Sequence, residues 1–212
     1  MAFAKLRIPV VLAAVALLSA CGFSPTEGIY RTATVTTKGA DIVIAGPDGF
    51  CIDERTTDES RAGAFVFLSD CAMTETGSPT IARVPISAVL TASVSNSGLP
   101  GIELGLDTAL ADLQAFLESP IGQVSLGKSG NMTTISVLSL SRTENAVIAF
   151  VEDTTITSTT AESPRFWRAF TELGGRLVAL SATGFNRSDP DQARIEQLLL
   201  AFIDSMHAAN AG

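Results

Sequence analysis

The chain has 212 residues, with 14 basic and 22 acidic side chains, one histidine and a formal charge of −8. An acidic surface repels phosphate backbones and anionic headgroups, which argues against nucleic acid as a partner and against electrostatic attraction to a membrane. With only His207, near the C-terminus, a Ser–His or Cys–His nucleophile has almost nothing to draw on, and the three cysteines contain no CxxC pair.

The first stretch carries an address. Lys5 and Arg7 form a small positive segment, and Ile8 to Leu18 form an apolar run of the length expected for an export signal. That run is shorter than the roughly 20 apolar residues that span a bilayer. Leu18-Ser19-Ala20-Cys21 follows directly. An ordinary signal peptide with an accidental cysteine is one reading of this order. The preferred one is that it resembles the lipobox of bacterial lipoproteins. The resemblance implies cleavage before Cys21, a diacylglyceryl group on its sulfur and an acyl group on its nitrogen. Each buried lipid CH₂ contributes ~0.8 kcal/mol and one chain binds only marginally, so two or three chains anchor stably. Gly22, rather than Asp, follows the cysteine. By resemblance to enterobacterial sorting this places the anchor on the periplasmic face of the outer membrane.

The domain organisation follows: residues 1–20 a removed leader, 21–29 a lipidated cysteine and flexible tether, and 30–208 one domain. Lipidation consumes Cys21 and leaves Cys51 and Cys71. In an oxidising compartment these two form a disulfide, worth ~3 kcal/mol in the chain-entropy model. Two reduced or metal-binding thiols are the alternative.

Taken in order, Arg31 to Thr37 is rich in Thr and Val, and Lys38-Gly39 turns it back into Asp41 to Ile44. Gly46-Pro47-Asp48-Gly49 is a turn before Phe50-Cys51-Ile52, and Asp53 to Arg61 reads as a charged loop. Ala64 to Leu68 reads as a buried strand ending at Cys71. Ile81 to Ser95 alternates loosely, with Pro85 marking an edge or a break. A helix capped by Asp107 carries Leu106, Leu110, Leu113 and Leu117 at helical spacing, with Phe116 beside them, and stops at Ser119-Pro120. Val124 to Glu152 reads as strands, with a turn over Gly127 to Asn131 and a hairpin loop at Arg142 to Asn145. Phe166 to Leu173 fits a helix face after Ser163-Pro164, but Gly174-Gly175 between two apolar runs favours a hairpin into the strand Arg176 to Phe185. A terminal helix is predicted with Asp189 as N-cap, Pro190 at its first position and Gln192 completing a capping box. Ile195, Leu198, Leu199, Phe202, Ile203 and Met206 form its apolar stripe.

The fold class is therefore α+β, an antiparallel meander with a central helix and a C-terminal amphipathic helix. The order of elements around Gly46-Pro47-Asp48-Gly49-Phe50, the central helix, the late meander and the terminal helix resembles the PsbP-like αβα fold, shared by a photosystem subunit and a nuclear import factor. The run Gly49-Phe50-Cys51-Ile52-Asp53, then Gly63-Ala64-Phe65-Val66 and Cys71, resembles alphaproteobacterial lipoproteins of unassigned function. Neither resemblance carries over a catalytic residue.

Four features are candidate sites. Asp53, Glu54, Asp58 and Glu59 are dense in carboxylates, but Arg55 and Arg61 interrupt them and no EF-hand spacing is present, so a solvated loop is expected and no metal site is assigned. His207 in the last helical turn suits the helix dipole. Ser139 and Ser141 fit the polar face of an alternating strand. Phe166, Trp167 and Phe170, close to Arg165 and Arg168, make a candidate partner patch, with core packing and flanking solubilising charges as the plainer reading. No Walker, dinucleotide or Gly-x-Ser-x-Gly motif occurs, so no catalytic residue or cofactor is named. The expected function is a lipid-anchored envelope protein acting as a non-enzymatic interaction or assembly module. Its partners are the membrane, through the lipid, and an envelope protein. A small-ligand or metal-binding lipoprotein is the alternative.

Overall fold

The computed structural model describes residues 31–53, 56–60, 62–74, 88–127, 130–131, 133–157, 161–185 and 191–212. Cys21, its flanking leader and tether, and Glu54, Arg55, Arg61, Pro85, Asp189 and Pro190 lie outside them.

Strands β1 (Thr32–Thr37) and β2 (Ala40–Ala45) form a separate antiparallel hairpin. Lys38 and Gly39 turn it with φ of 43° and 81°, the left-handed pair that matches strand twist in a two-residue hairpin. Next come β3 (Phe50–Ile52), β4 (Asp58–Ser60), β5 (Gly63–Asp70), a single helical turn α1 (Cys71–Thr74) and β6 (Ala88–Ser95). Helices α2 (Leu106–Glu118) and α3 (Pro120–Val124) follow. A meander of β7 (Ile135–Arg142), β8 (Ala146–Asp153), β9 (Glu162–Leu173) and β10 (Arg176–Phe185) leads to the terminal helix α4 (Gln192–Asn210).

The main sheet has the order β3-β5-β6-β10-β9-β8-β7, antiparallel throughout, with β4 also paired to β5. It is thus two meanders joined where β6 meets β10, with Val94 opposite Val178. The α+β class holds, and the segment Phe166 to Leu173 is strand. Gly174 and Gly175, at φ of 54° and 79°, close the β9–β10 hairpin as no side-chain-bearing pair could without strain.

Two cores flank the sheet. On one face α4 and the β1–β2 hairpin bury Ile42, Ile44, Leu68, Leu90, Leu180, Leu199 and Phe202. The predicted α4 stripe is buried along its length. On the other face α2 and α3 cover β7 to β9 around Leu110, Leu117, Leu126, Val147, Val151 and Phe166.

Three local expectations change. Helix α4 begins at Gln192, and Asp191 caps it by accepting from the Ala193 amide at 3.1 Å, so Asp189 is not the cap. Helix α2 has Gly105 at its N-cap, and Asp107 sits in its first turn, bound to Arg142 at 2.7 Å. Ser119-Pro120 ends α2 but also starts α3, because the Ser119 hydroxyl accepts from the Gly122 amide and Pro120 suits a first helical position, which carries Val124 into helix.

Candidate functional site

The Cys51–Cys71 disulfide links β3 to the residue after β5, across a Cα separation of 4.8 Å. Cys51 pairs with Ser69 in the ladder and the Cys71 amide donates to the carbonyl of Gly49, so the staple closes a joint that backbone bonds have already aligned. Both cysteines are buried.

The predicted aromatic patch does not assemble. A strand alternates its faces with period two. Phe166 therefore packs into the α2-side core and Trp167 into the α4-side core, both buried, while half-buried Phe170 lies on the same side as Phe166. Trp167 stacks on Phe150 with ring centroids 4.6 Å apart, and its indole N–H donates to the carbonyl of Gln192 at 3.1 Å. Those contacts fasten the start of α4 to β9. Trp167 and Phe166 are core residues on opposite sides of the sheet.

Arg168, between Phe166 and Phe170, occupies a polar pocket beneath the end of α3. Its Nη1 donates to the carbonyl of Leu126 at 2.8 Å and its Nε to the Ser181 hydroxyl at 3.1 Å. The guanidinium carbon lies 5.3 Å from the Phe166 ring centroid. Burial pushes its pKa down, and the charge of Asp153 opposes that. Asp153 is fully buried and accepts from the Thr155 amide at 3.0 Å and hydroxyl at 2.5 Å. Only the alternation of β9 hints at this arrangement in the sequence.

His207 is not a free surface cap. It is half-buried against β9, with Nε2 2.9 Å from the Thr171 hydroxyl. That hydroxyl gives its proton to the carbonyl of Asn145 at 2.6 Å, so its oxygen accepts and Nε2 carries the hydrogen. Burial lowers the His207 pKa, against the pull of Asp204 and Glu172. The acidic segment is partly strand: Asp58 to Ser60 form β4, and the hydroxyls of Thr56 and Thr57 turn back to the carbonyl of Asp53. No group of three or more His, Cys, Asp or Glu placed to hold a metal occurs among the described residues. Ser139 and Ser141 are exposed on β7.

A cleft of about 330 Å³ opens on the α2 side of the sheet, beyond the reach of α2. Phe65, Phe170 and Leu177 form its floor, with Ser93, Ser60 and Asp58 at its polar margin. Phe65 is 40% exposed there. A broader hollow between the Gly46 to Asp48 turn and α4 carries Asp48, Arg194 and Asp204 and is a shallow charged surface. No helix among the described residues is long and apolar enough to cross a membrane.

No protein-family model matches the chain, and no curated protein matches it. Among solved structures it is similar to the Ran-binding protein Mog1p of Saccharomyces cerevisiae, at 10% identity over 85% of this chain and 94% of that one, with a TM-score of 0.40. That likeness is too slight to carry an inference about function.

Proposed function

We propose that the chain is a lipid-anchored protein of the bacterial cell envelope, whose domain serves as a non-enzymatic interaction or assembly module. The observation that carries this is Leu18-Ser19-Ala20-Cys21 behind a basic and apolar leader. The Cys51–Cys71 bond supports it, since structural disulfides persist in exported compartments. The site chemistry also points away from a reaction centre. The polar groups Arg168, Asp153 and Thr171 each bond to neighbouring protein groups beneath helices.

The test is fractionation with mass spectrometry of the N-terminal peptide. A peptide beginning at Cys21 with added acyl mass, and a Cys21→Ser variant that leaves the membrane fraction, are the expected results. An unmodified Cys21 in the wild-type protein defeats the proposal. Binding of a small apolar ligand is the second reading, favoured by the cleft at Phe65, Phe170 and Leu177. A thermal-shift screen checks it, because a ligand far above its Kd raises the melting temperature, and Phe65→Ser removes that rise.

A further inference from the structure

Among the described residues, strand β7 ends the sheet and pairs only with β8. It is eight residues long, contains no proline, and its only charge is Arg142 at the end. Natural edges are usually blunted by shortness, charge or a cover. Several other edges here are. β3 and β4 have three residues each, and the backbone of Val43 in β2 is capped by the side chain of Asn210, at 2.9 Å and 2.8 Å.

The ladder bonds determine which backbone groups of β7 point outward. The Thr143 amide donates to Ala146, so residues 141 and 139 turn their backbone toward β8, while Leu140 and Arg142 turn theirs away. At the other end the Thr154 amide donates to Thr134, so Ser136 faces β8, while Ile135 and Val137 face away. The register shifts between Val137 and Ser139, which inserts Leu138 as a bulge, 46% exposed. The outward set is thus 135, 137, 140 and 142.

That set is symmetric about the bulge. A regular incoming strand, with outward groups every second residue, loses register between 137 and 140. A second β7, inverted, carries the same three-residue step at the same place. We propose that this edge pairs with a second copy of the chain about a two-fold axis beside Leu138. Ile135 then meets the second copy's Arg142, and Val137 meets the second copy's Leu140, each pair exchanging two N–H···O bonds. No like charges oppose one another, and the two Leu138 side chains approach across the axis. Ile121, 76% exposed on α3 beside β7, adds apolar surface near the joint. This inference stands apart from the lipidation of Cys21.

Sedimentation of the full chain, in detergent where it is lipidated, tests it at about 100 µM, a concentration at which even a micromolar pair is formed. The wild-type protein is expected at twice the chain mass. Leu138→Lys, which places two ammonium groups at the axis, and Val137→Pro, which deletes an outward amide that β8 does not use, are each expected to halve the mass with an unchanged circular dichroism spectrum. A wild-type monomer at that concentration overturns the proposal. So does a dimer that survives Leu138→Lys, the exposed variant that leaves the cores untouched.

Discussion

The two faces of the sheet are covered by different means. On one side a 19-residue helix and the β1–β2 hairpin bury almost every side chain they meet, and Asn210 at the end of α4 clips β2 through Val43. On the other, a 13-residue and a five-residue helix cover only β7 to β9, and among the described residues Phe65, Ser93 and Leu177 open onto a cleft. Charge differs too. The α2 side hides Arg168 and Asp153, while the α4 side hides the neutral contact of Thr171 with His207. Both faces bury a core, but only the α2 side leaves an apolar cleft uncovered among the described residues.

The largest expected effect tests that division directly. Leu199→Ala on the α4 side and Leu110→Ala under α2 each remove a fully buried leucine and should cost about 2–5 kcal/mol by urea unfolding, with the larger loss on the α4 side. Equal losses would make the two covers equivalent. Next, the Cys51→Ala, Cys71→Ala pair should lose ~3 kcal/mol. Proteolysis of the variant should begin in the segment 53–70 that the bond closes, and cutting first within β7 to β10 would separate the bond from that joint. Arg168→Met leaves the carbonyl of Leu126 and the Ser181 hydroxyl without this donor and removes a positive charge near Asp153. A loss of about 2 kcal/mol is expected, with hydrogen exchange rising in α3 more than in α4.

The smallest effect concerns pH. The His207 pKa is lowered by burial, so the native state holds fewer protons than the unfolded chain just below the ordinary histidine pKa of about 6.5. Stability from this site is complete above that value and declines as pH falls toward the folded pKa. His207→Gln, which keeps a donor for Thr171, should flatten the decline. An unchanged pH profile would place its origin in other groups.

Features set by a few adjacent residues were readable from the sequence. Lys38-Gly39 and Gly174-Gly175 announce hairpins because such pairs reach the required backbone angles, and the α4 stripe repeats over about three turns. The cysteine pair followed from compartment and count. What escaped depended on contacts distant in sequence. Nothing local tells β6 that its neighbour is β10. Phe166 and Trp167 look like one patch until their segment is known to be a strand, when they fall on opposite faces. The caps at Gly105 and Asp191 were displaced because a backbone-only cap at glycine leaves no side-chain signature, and because Asp189 and Asp191 offer the same chemistry two residues apart. The role of Arg168 was hidden because nothing local shows that Leu126 and Ser181 reach it.

The junction of β6 with β10 also dictates a timetable for folding. Val94 and Val178 are 84 positions apart (178 − 94), so the two meanders join only once nearly the whole chain is present. Closing so long a loop is slow relative to hairpin formation. As the chain is made, β3 to β6 precede their partners and hold one another while β6 waits with an unpaired edge. A bond between Cys51 and Cys71, formed in that interval, keeps the early unit from dispersing. A nascent chain halted before Arg176 would present the β6 edge to its neighbours, which makes late truncations of this protein an aggregation hazard rather than a source of smaller stable domains.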